Sequence, residues 1–268
     1  MSNPTLRAYE NSTEGLSISA SDRVLTIRLD REEKRNAITY DMYVAITQVL
    51  ALAATDGDVS CVLFTGSGTT FSGGHDVGGF TRGLSIAPEE KPSFAFMQAL
   101  SMFPKPVIAA LNGNAVGIAA TMLLHCDLVF AVPDCRLVFP FTKMGLIPEF
   151  ASTHFLPRLI GHQRAMALFL TQGQCTAERA VEWGIINATV PAAEMLGVIA
   201  ETTATISGLS LEAVMETKRL VKADGQAAVQ DAIGDEARTF HRLLQSDFVL
   251  GKLAAGRGTA DRQPARNA

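Results

Sequence analysis

The 268-residue chain has no excess of positive charge. Its 23 Lys and Arg face 27 Asp and Glu, for a net charge of −4. Nucleic-acid binders show a basic stripe, so that class is not expected; a single basic pocket for a phosphorylated ligand is compatible with the balance. Cysteine is scarce. Cys61, Cys126, Cys135 and Cys175 have no CxxC spacing and read as reduced core residues of a cytosolic protein. No metal site is expected. The first fifteen residues lack the charged-then-apolar pattern of a signal peptide. The longest charge-free stretch, Pro106 to Leu124, is broken by Asn112, Gly113, Asn114 and Gly117, so it does not read as a membrane span. A soluble cytoplasmic protein without internal repeats is the expectation.

What the chain does have is apolar mass. Hydrophobic residues make up 47% against 19% charged, enough for a sizeable core. Leu16–Ala20 and Val24–Leu29 read as a hairpin turning at Ser21-Asp22-Arg23. Thr39 is a plausible cap for a helix with apolar Met42, Ile46, Val49, Leu50 and Ala53, and Cys61–Phe64 reads as a buried strand. Strand, turn, helix and strand in succession imply α/β organisation with parallel pairing. The polar segment Thr81–Pro92 reads as a mobile connection. A helix through Phe94, Met97, Leu100 and Phe103 packs in the core or walls an apolar pocket. Arg136–Phe141 and Ile185–Val190 read as strands, and Thr176 caps a helix ending at Gly184. From Ala192 onward the pattern is helical, with 192–206, 211–222 and 227–244 divided at Gly208 and Gly225. The small, polar and basic tail, GRGTADRQPARNA, is expected to be disordered. The length fits one large domain or one domain plus an appendage, and the expected division is a core, 1–200, followed by a helical C-terminal region, 201–268.

Three stretches carry chemistry. In the first, PVIAALNGNAVGIAATMLLHCD, a buried strand gives way to glycine turns and then an uncharged apolar helix from Ile118 to Cys126. The positive end of such a helix can bind a developing negative charge; equally, it is a buried strand–turn–helix. The second is the glycine-rich loop Gly66–Phe80. Phe71 spoils a dinucleotide fingerprint and Thr70 spoils a nucleophile elbow at Ser72. Ser72, His75 and Asp76 are too close in sequence to converge as a triad, so the loop reads as a platform of backbone N–H groups. The third is Pro148–Ser152, read as the opening of a helix. Its Glu149 is the only acid between Asp134 and Glu178. It is either a helix-terminal carboxylate or a general base, with a pKa raised by apolar neighbours such as Phe139, Phe141 and Phe150.

Taken together, EEKRNAI at 32–38, FSGGHDVGGF at 71–80, NGNAVGIAATMLLHCD at 112–127, FPFTKMGLIPEF at 139–150 and TAERAVEWGIINATVP at 176–191 resemble the crotonase, or enoyl-CoA hydratase/isomerase, superfamily. The resemblance implies an α/β fold, a spiral of ββα units with a helical C-terminal trimerisation region. It implies an acyl-CoA substrate, with coenzyme A arriving as a thioester and no permanently bound cofactor. It further implies an oxyanion hole from the backbone N–H groups of His75 and Ile118, the latter following Gly117. Lys34, Arg35, Asn36, Ala37, His75, Asp76 and Val77 would lie along coenzyme A. A homotrimer or dimer of trimers, with no nucleic-acid or membrane partner, completes the expectation.

Hydratases of this superfamily use two glutamates, where this chain has Thr121 and Phe141, so ordinary hydration is not expected. Glu149 matches instead the glutamate of peroxisomal-type Δ3-Δ2-enoyl-CoA isomerases, which shift a double bond with one acid/base. The residue after that glutamate is usually glycine; here it is Phe150, expected to narrow the pocket or displace Glu149. The alternatives are a non-catalytic acyl-CoA binder, or hydrolase- or dehalogenase-type thioester chemistry resting on His75 and Asp76.

Overall fold

The computed structural model describes Tyr9 and residues 12–260, with only the backbone given at 80, 81 and 255–260. Ten strands form two sheets. The larger takes β1 (Leu16–Ser21), β2 (Val24–Leu29), β3 (Cys61–Gly66), β5 (Val107–Leu111), β7 (Leu128–Ala131) and β10 (Ala188–Thr189), in the order β1-β2-β3-β5-β7-β10. The smaller takes β4 (Thr70–Ser72), β6 (Asn114–Val116), β8 (Arg136–Val138) and β9 (Gln174–Thr176), in the order β4-β6-β8-β9. β3, β5 and β7 thus each send the chain to the next strand of the small sheet before it returns through helical segments. That alternation is the spiral of ββα units implied by the resemblance. Pairing is antiparallel in the β1–β2 hairpin and for β8–β9, and parallel elsewhere.

Local chemistry explains the elements. Asp22 and Arg23 both take left-handed φ, 51° and 65°, as a two-residue hairpin turn requires. The Thr39 side chain accepts from Met42 N and caps helix Tyr40–Thr55, while Thr176 does the same for Ala177–Glu182. β5 is buried along its whole length, which accounts for five successive apolar residues. Buried Val229, Ile233, Leu244 and Val249 of the C-terminal helices belong to the same apolar core as the strands, and helix Ala192–Ser207 runs across residue 200.

Several expectations are corrected. The strand at 136 ends at Val138, because Pro140 and Phe141 lead into a 3-10 turn, Thr142–Met144. The strand expected over 185–190 is only Ala188–Thr189. The buried helix after Gly117 is one α turn, Ile118–Thr121, continued as 3-10 over Met122–His125. Residues 81–92 include two 3-10 turns, Gly83–Ser85 and Pro88–Glu90. The first five residues of the expected disordered tail continue helix Asp247–Ala260; residues 261–268 lie outside the described part. Pro148–Ser152 does not open a helix at Glu149. Phe150 and Ala151 are both left-handed, with φ of 61° and 54°, and the helix begins at Ser152.

Candidate active site

The ends of β4 and β6, the turn after Leu146 and the C-terminal helix Gln226–Leu244 enclose a cleft of about 1000 Å³ that includes its solvent-open mouth. His75, Val77, Gly117, Ile118 and Glu149, five of the residues singled out in the sequence, line it. Phe94, Met97, Phe141, Met144, Phe240 and Leu244 make its walls apolar.

Glycine brings the two backbone segments together. Gly74, at φ 86°, packs so closely on the next strand that a methyl group there would lie 2.4 Å from Val116 O and 3.7 Å from Ile118 N. Gly117, at φ 57°, turns the chain out of β6 into a helix whose first residue is Ile118. As a first-turn residue, Ile118 has an N–H without a partner inside its own helix. The His75 and Ile118 peptides therefore meet at one edge of the cleft. The His75 ring stacks on Tyr43, with centroids 5.6 Å apart, and its Nδ1 lies 3.4 Å from the Tyr43 hydroxyl. Burial pulls the His75 pKa down to about 4, which leaves the ring neutral near pH 7.

Glu149 is the only carboxylate among the described residues lining the cleft. It is 7% exposed, and burial pushes its pKa from the ordinary 4.5 up to about 8, a rise that the charge of Glu236 reinforces. The buried Thr121 hydroxyl opposes this rise by donating to Glu149 Oε1 at 2.6 Å. Thr121, which the resemblance sets at the place of a hydratase glutamate, is thus the hydrogen-bond partner of the glutamate this chain does carry. Phe141, at the other such position, is wall.

Phe150 neither narrows the cleft nor displaces the acid. It is absent from the lining and buried in the core, where it stacks on His125 at 4.1 Å and meets Phe96 edge-on at 5.7 Å. Phe139 likewise packs elsewhere, against Phe169. Of the three phenylalanines expected around Glu149, only Phe141 shares its cleft. A left-handed phenylalanine costs on the order of 1 kcal/mol, and two buried groups hold it in place. His125 Nε2 lies 2.8 Å from Phe150 O; burial lowers the His125 pKa to about 3, so a neutral ring donates this bond. Glu236, 85 residues further on, accepts from Ala151 N at 2.6 Å and from Thr153 N at 3.0 Å. A carboxylate from a distant helix thereby serves the open N-terminus of helix Ser152–Ile160.

The remaining sequence candidates flank the cleft without lining it. Lys34 and Arg35 are exposed. Asn36 is buried and knits the loops, accepting from Arg31 N and donating to Ser67 O and Thr70 O. The 35–38 turn is stitched to the His75 segment by Gly73 N to Arg35 O, Ile38 N to Gly74 O and Asp76 N to Ile38 O. Asp76 pairs with Arg31 at 2.9 Å, and Arg31 also donates to Ala37 O. Asp76 is thus spoken for, and the temptation of a triad ends with Ser72, whose hydroxyl donates to Asn36 O. Sequence reasoning assigns no role to Tyr43 or Glu236, and marks Thr121 only as a place where a hydratase glutamate is missing. Thr121 had a signal, standing one helical turn after Gly117; Glu236 had none, being one acid among several on an amphipathic helix. Among the described residues, no three His, Cys, Asp or Glu side chains gather as a metal site, and no helix is long and apolar enough to cross a membrane.

A family model described as Enoyl-CoA hydratase/isomerase matches residues 19–254. The probable enoyl-CoA hydratase echA6 of Mycobacterium tuberculosis is 33% identical over 238 residues, covering 88% of this chain and 93% of that protein. The mouse protein named enoyl-CoA delta isomerase 3, peroxisomal, is 31% identical over 238 residues, covering 87% and 75%. The solved structure of Pseudomonas aeruginosa OdaA superposes with a TM-score of 0.87 at 38% identity, covering 91% of this chain and 99% of that one.

Proposed function

We propose a specific activity on the premise that this chain belongs to the enoyl-CoA hydratase/isomerase family: it is a Δ3-Δ2-enoyl-CoA isomerase with Glu149 as its single acid/base. The observation that carries this reading is a lone, buried carboxylate in an apolar cleft, with Thr121 and Phe141 at the two positions where the resemblance implies a hydratase's glutamates. Glu149 removes a proton from C2 of a 3-enoyl thioester. The electrons move toward the thioester oxygen as a dienolate, and the protonated Glu149 returns the proton to C4, so that the double bond comes to rest at C2. No net proton is consumed, and one carboxylate suffices. The His75 and Ile118 N–H groups bind the oxyanion; removing one such donor raises the barrier by about 3–4 kcal/mol. The raised pKa of Glu149 makes its ionised form a stronger base for a weakly acidic carbon.

The thioester enters past Gly117, with coenzyme A along Lys34–Ala37 and His75–Val77. Exposed Lys34 and Arg35 support this path, as does Val77, which is both exposed and part of the cleft lining. Asp76 is held by Arg31 outside the lining, which weighs against hydrolase or dehalogenase chemistry. A homotrimer, or a dimer of trimers, belongs to the same proposal. Exposed Leu196, Leu220 and Val221 on the C-terminal helices support it.

The test is incubation with 3-hexenoyl-CoA and 3-dodecenoyl-CoA, following the conjugated product by ultraviolet absorbance, beside Glu149→Gln. The expected outcome is turnover that the variant loses at least about a thousandfold while it still binds both thioesters. Binding without turnover in the parent protein would overturn the isomerase and leave a silent acyl-CoA binder.

A further inference from the structure

One cation in the cleft has no part in this chemistry. Lys91 precedes helix Pro92–Ser101 and lines the cleft beside Phe94 of that helix and Phe240 of the C-terminal helix. Its Nζ lies 2.9 Å from His241 Nδ1. Burial lowers the pKa of both groups, so His241 is a neutral acceptor for the ammonium. Among the described residues, no carboxylate comes within ion-pair distance of Lys91. Glu89 is turned to Arg238 at 3.5 Å, and Glu90 is exposed. An ammonium has three protons to give, and His241 takes one. A half-buried cation without a counter-charge, set in an apolar wall, is costly unless something else meets it.

Lys91 stands at the start of one wall helix and against His241 of the other, away from the 34–37 and 75–77 segments assigned to coenzyme A. We infer that Lys91, backed by His241, binds an electron-rich oxygen on the acyl group itself, a carboxylate or carbonyl remote from the thioester. This rests on the acyl-CoA reading of the cleft and names its substrate class: oxygenated acyl groups rather than plain alkenoyl chains. The charge meets the oxygen, and the Phe94 and Met97 wall takes the methylenes between.

Titration calorimetry with saturated thioesters tests this apart from turnover, because they have no double bond to move. The probes are hexanoyl-, 5-oxohexanoyl- and adipoyl-CoA, together with the corresponding four- and eight-carbon sets, against the parent protein, Lys91→Met and Lys91→Arg. At one chain length the parent protein is expected to bind an oxygenated thioester about tenfold more tightly than its plain counterpart. Lys91→Met erases that preference, leaves plain thioesters within about twofold and so reports an intact cleft, while Lys91→Arg keeps the preference. A larger gain for adipoyl-CoA identifies an anionic terminus; equal gains identify a neutral acceptor. No preference at any length, or an equal loss for all thioesters in Lys91→Met, overturns the inference. Discrimination without isomerase turnover would sink the isomerase alone, and failure of every thioester to bind would sink both.

Discussion

Replacing Thr121 by Val keeps the branched shape of the side chain and removes one hydroxyl. That hydroxyl donates to Glu149 Oε1 at 2.6 Å in a fully buried setting. A hydrogen bond to a charged group contributes about 1.5–3 kcal/mol, and about 1.4 kcal/mol corresponds to one pKa unit. The hydroxyl also lies 3.3 Å from Ile118 O and 3.4 Å from Gly117 O, acceptors it can serve when Glu149 is protonated. The lower end of that range therefore applies. The bond favours the ionised carboxylate, so its loss raises the Glu149 pKa further above about 8. The limb of kcat/KM on which the base ionises then moves to higher pH by about one unit. Near pH 7 the variant is about tenfold slower, and on the alkaline plateau it matches the parent protein. Initial rates with 3-hexenoyl-CoA across the pH range measure this. A limb that stays in place or moves to lower pH, in a protein of unchanged melting temperature, would refute the argument that Thr121 sets the basicity of Glu149.

Two further substitutions probe the frame. Gly74→Ala sets a methyl group 2.4 Å from Val116 O at a φ of 86°. It should cost about 2–4 kcal/mol of stability in a denaturant melt and slow turnover by about a hundredfold as the His75 and Ile118 peptides part; a variant of normal stability and rate would show that this close approach is dispensable. Glu236→Ala orphans Ala151 N and Thr153 N and is expected to cost about 3 kcal/mol. Because Glu236 raises the Glu149 pKa, its removal moves the same pH limb downward, opposite in sign to Thr121→Val. A loss of stability without that shift would leave Glu236 as scaffold only.

The sequence was most legible where a side chain's own backbone speaks. Thr39 and Thr176 announced their helices, and the wholly apolar Val107–Leu111 announced a strand buried on both faces. The small sheet was harder to see, because its strands are three residues each, too short for an alternating pattern. Gly117 and Glu149 stand out in apolar surroundings as a glycine and a solitary acid, whereas His75 and Ile118 are marked only by the resemblance; all four line one cleft. The conformation around Glu149 has no such mark. A phenylalanine at φ 61° reads locally as core, and it is fixed by His125 and Glu236, partners 25 and 85 or more residues away. Long-range polar partners leave no periodic trace.

Ala237, Phe240 and Leu244 complete a cleft whose other lining residues end in the sequence at Glu149, and Glu236 of the same helix holds Ala151 just beyond it. A nascent chain emerges N-terminal end first, at roughly 5–20 residues per second. For several seconds, then, a ribosome-bound chain holds β1 to β10 and Glu149 but lacks the helix that seals the apolar walls and fixes the turn after the base. Through that interval the greasy face is open to water and to other chains, and the acid has no fixed aim. In the order of synthesis, then, a cleft whose last wall is a C-terminal helix is completed late.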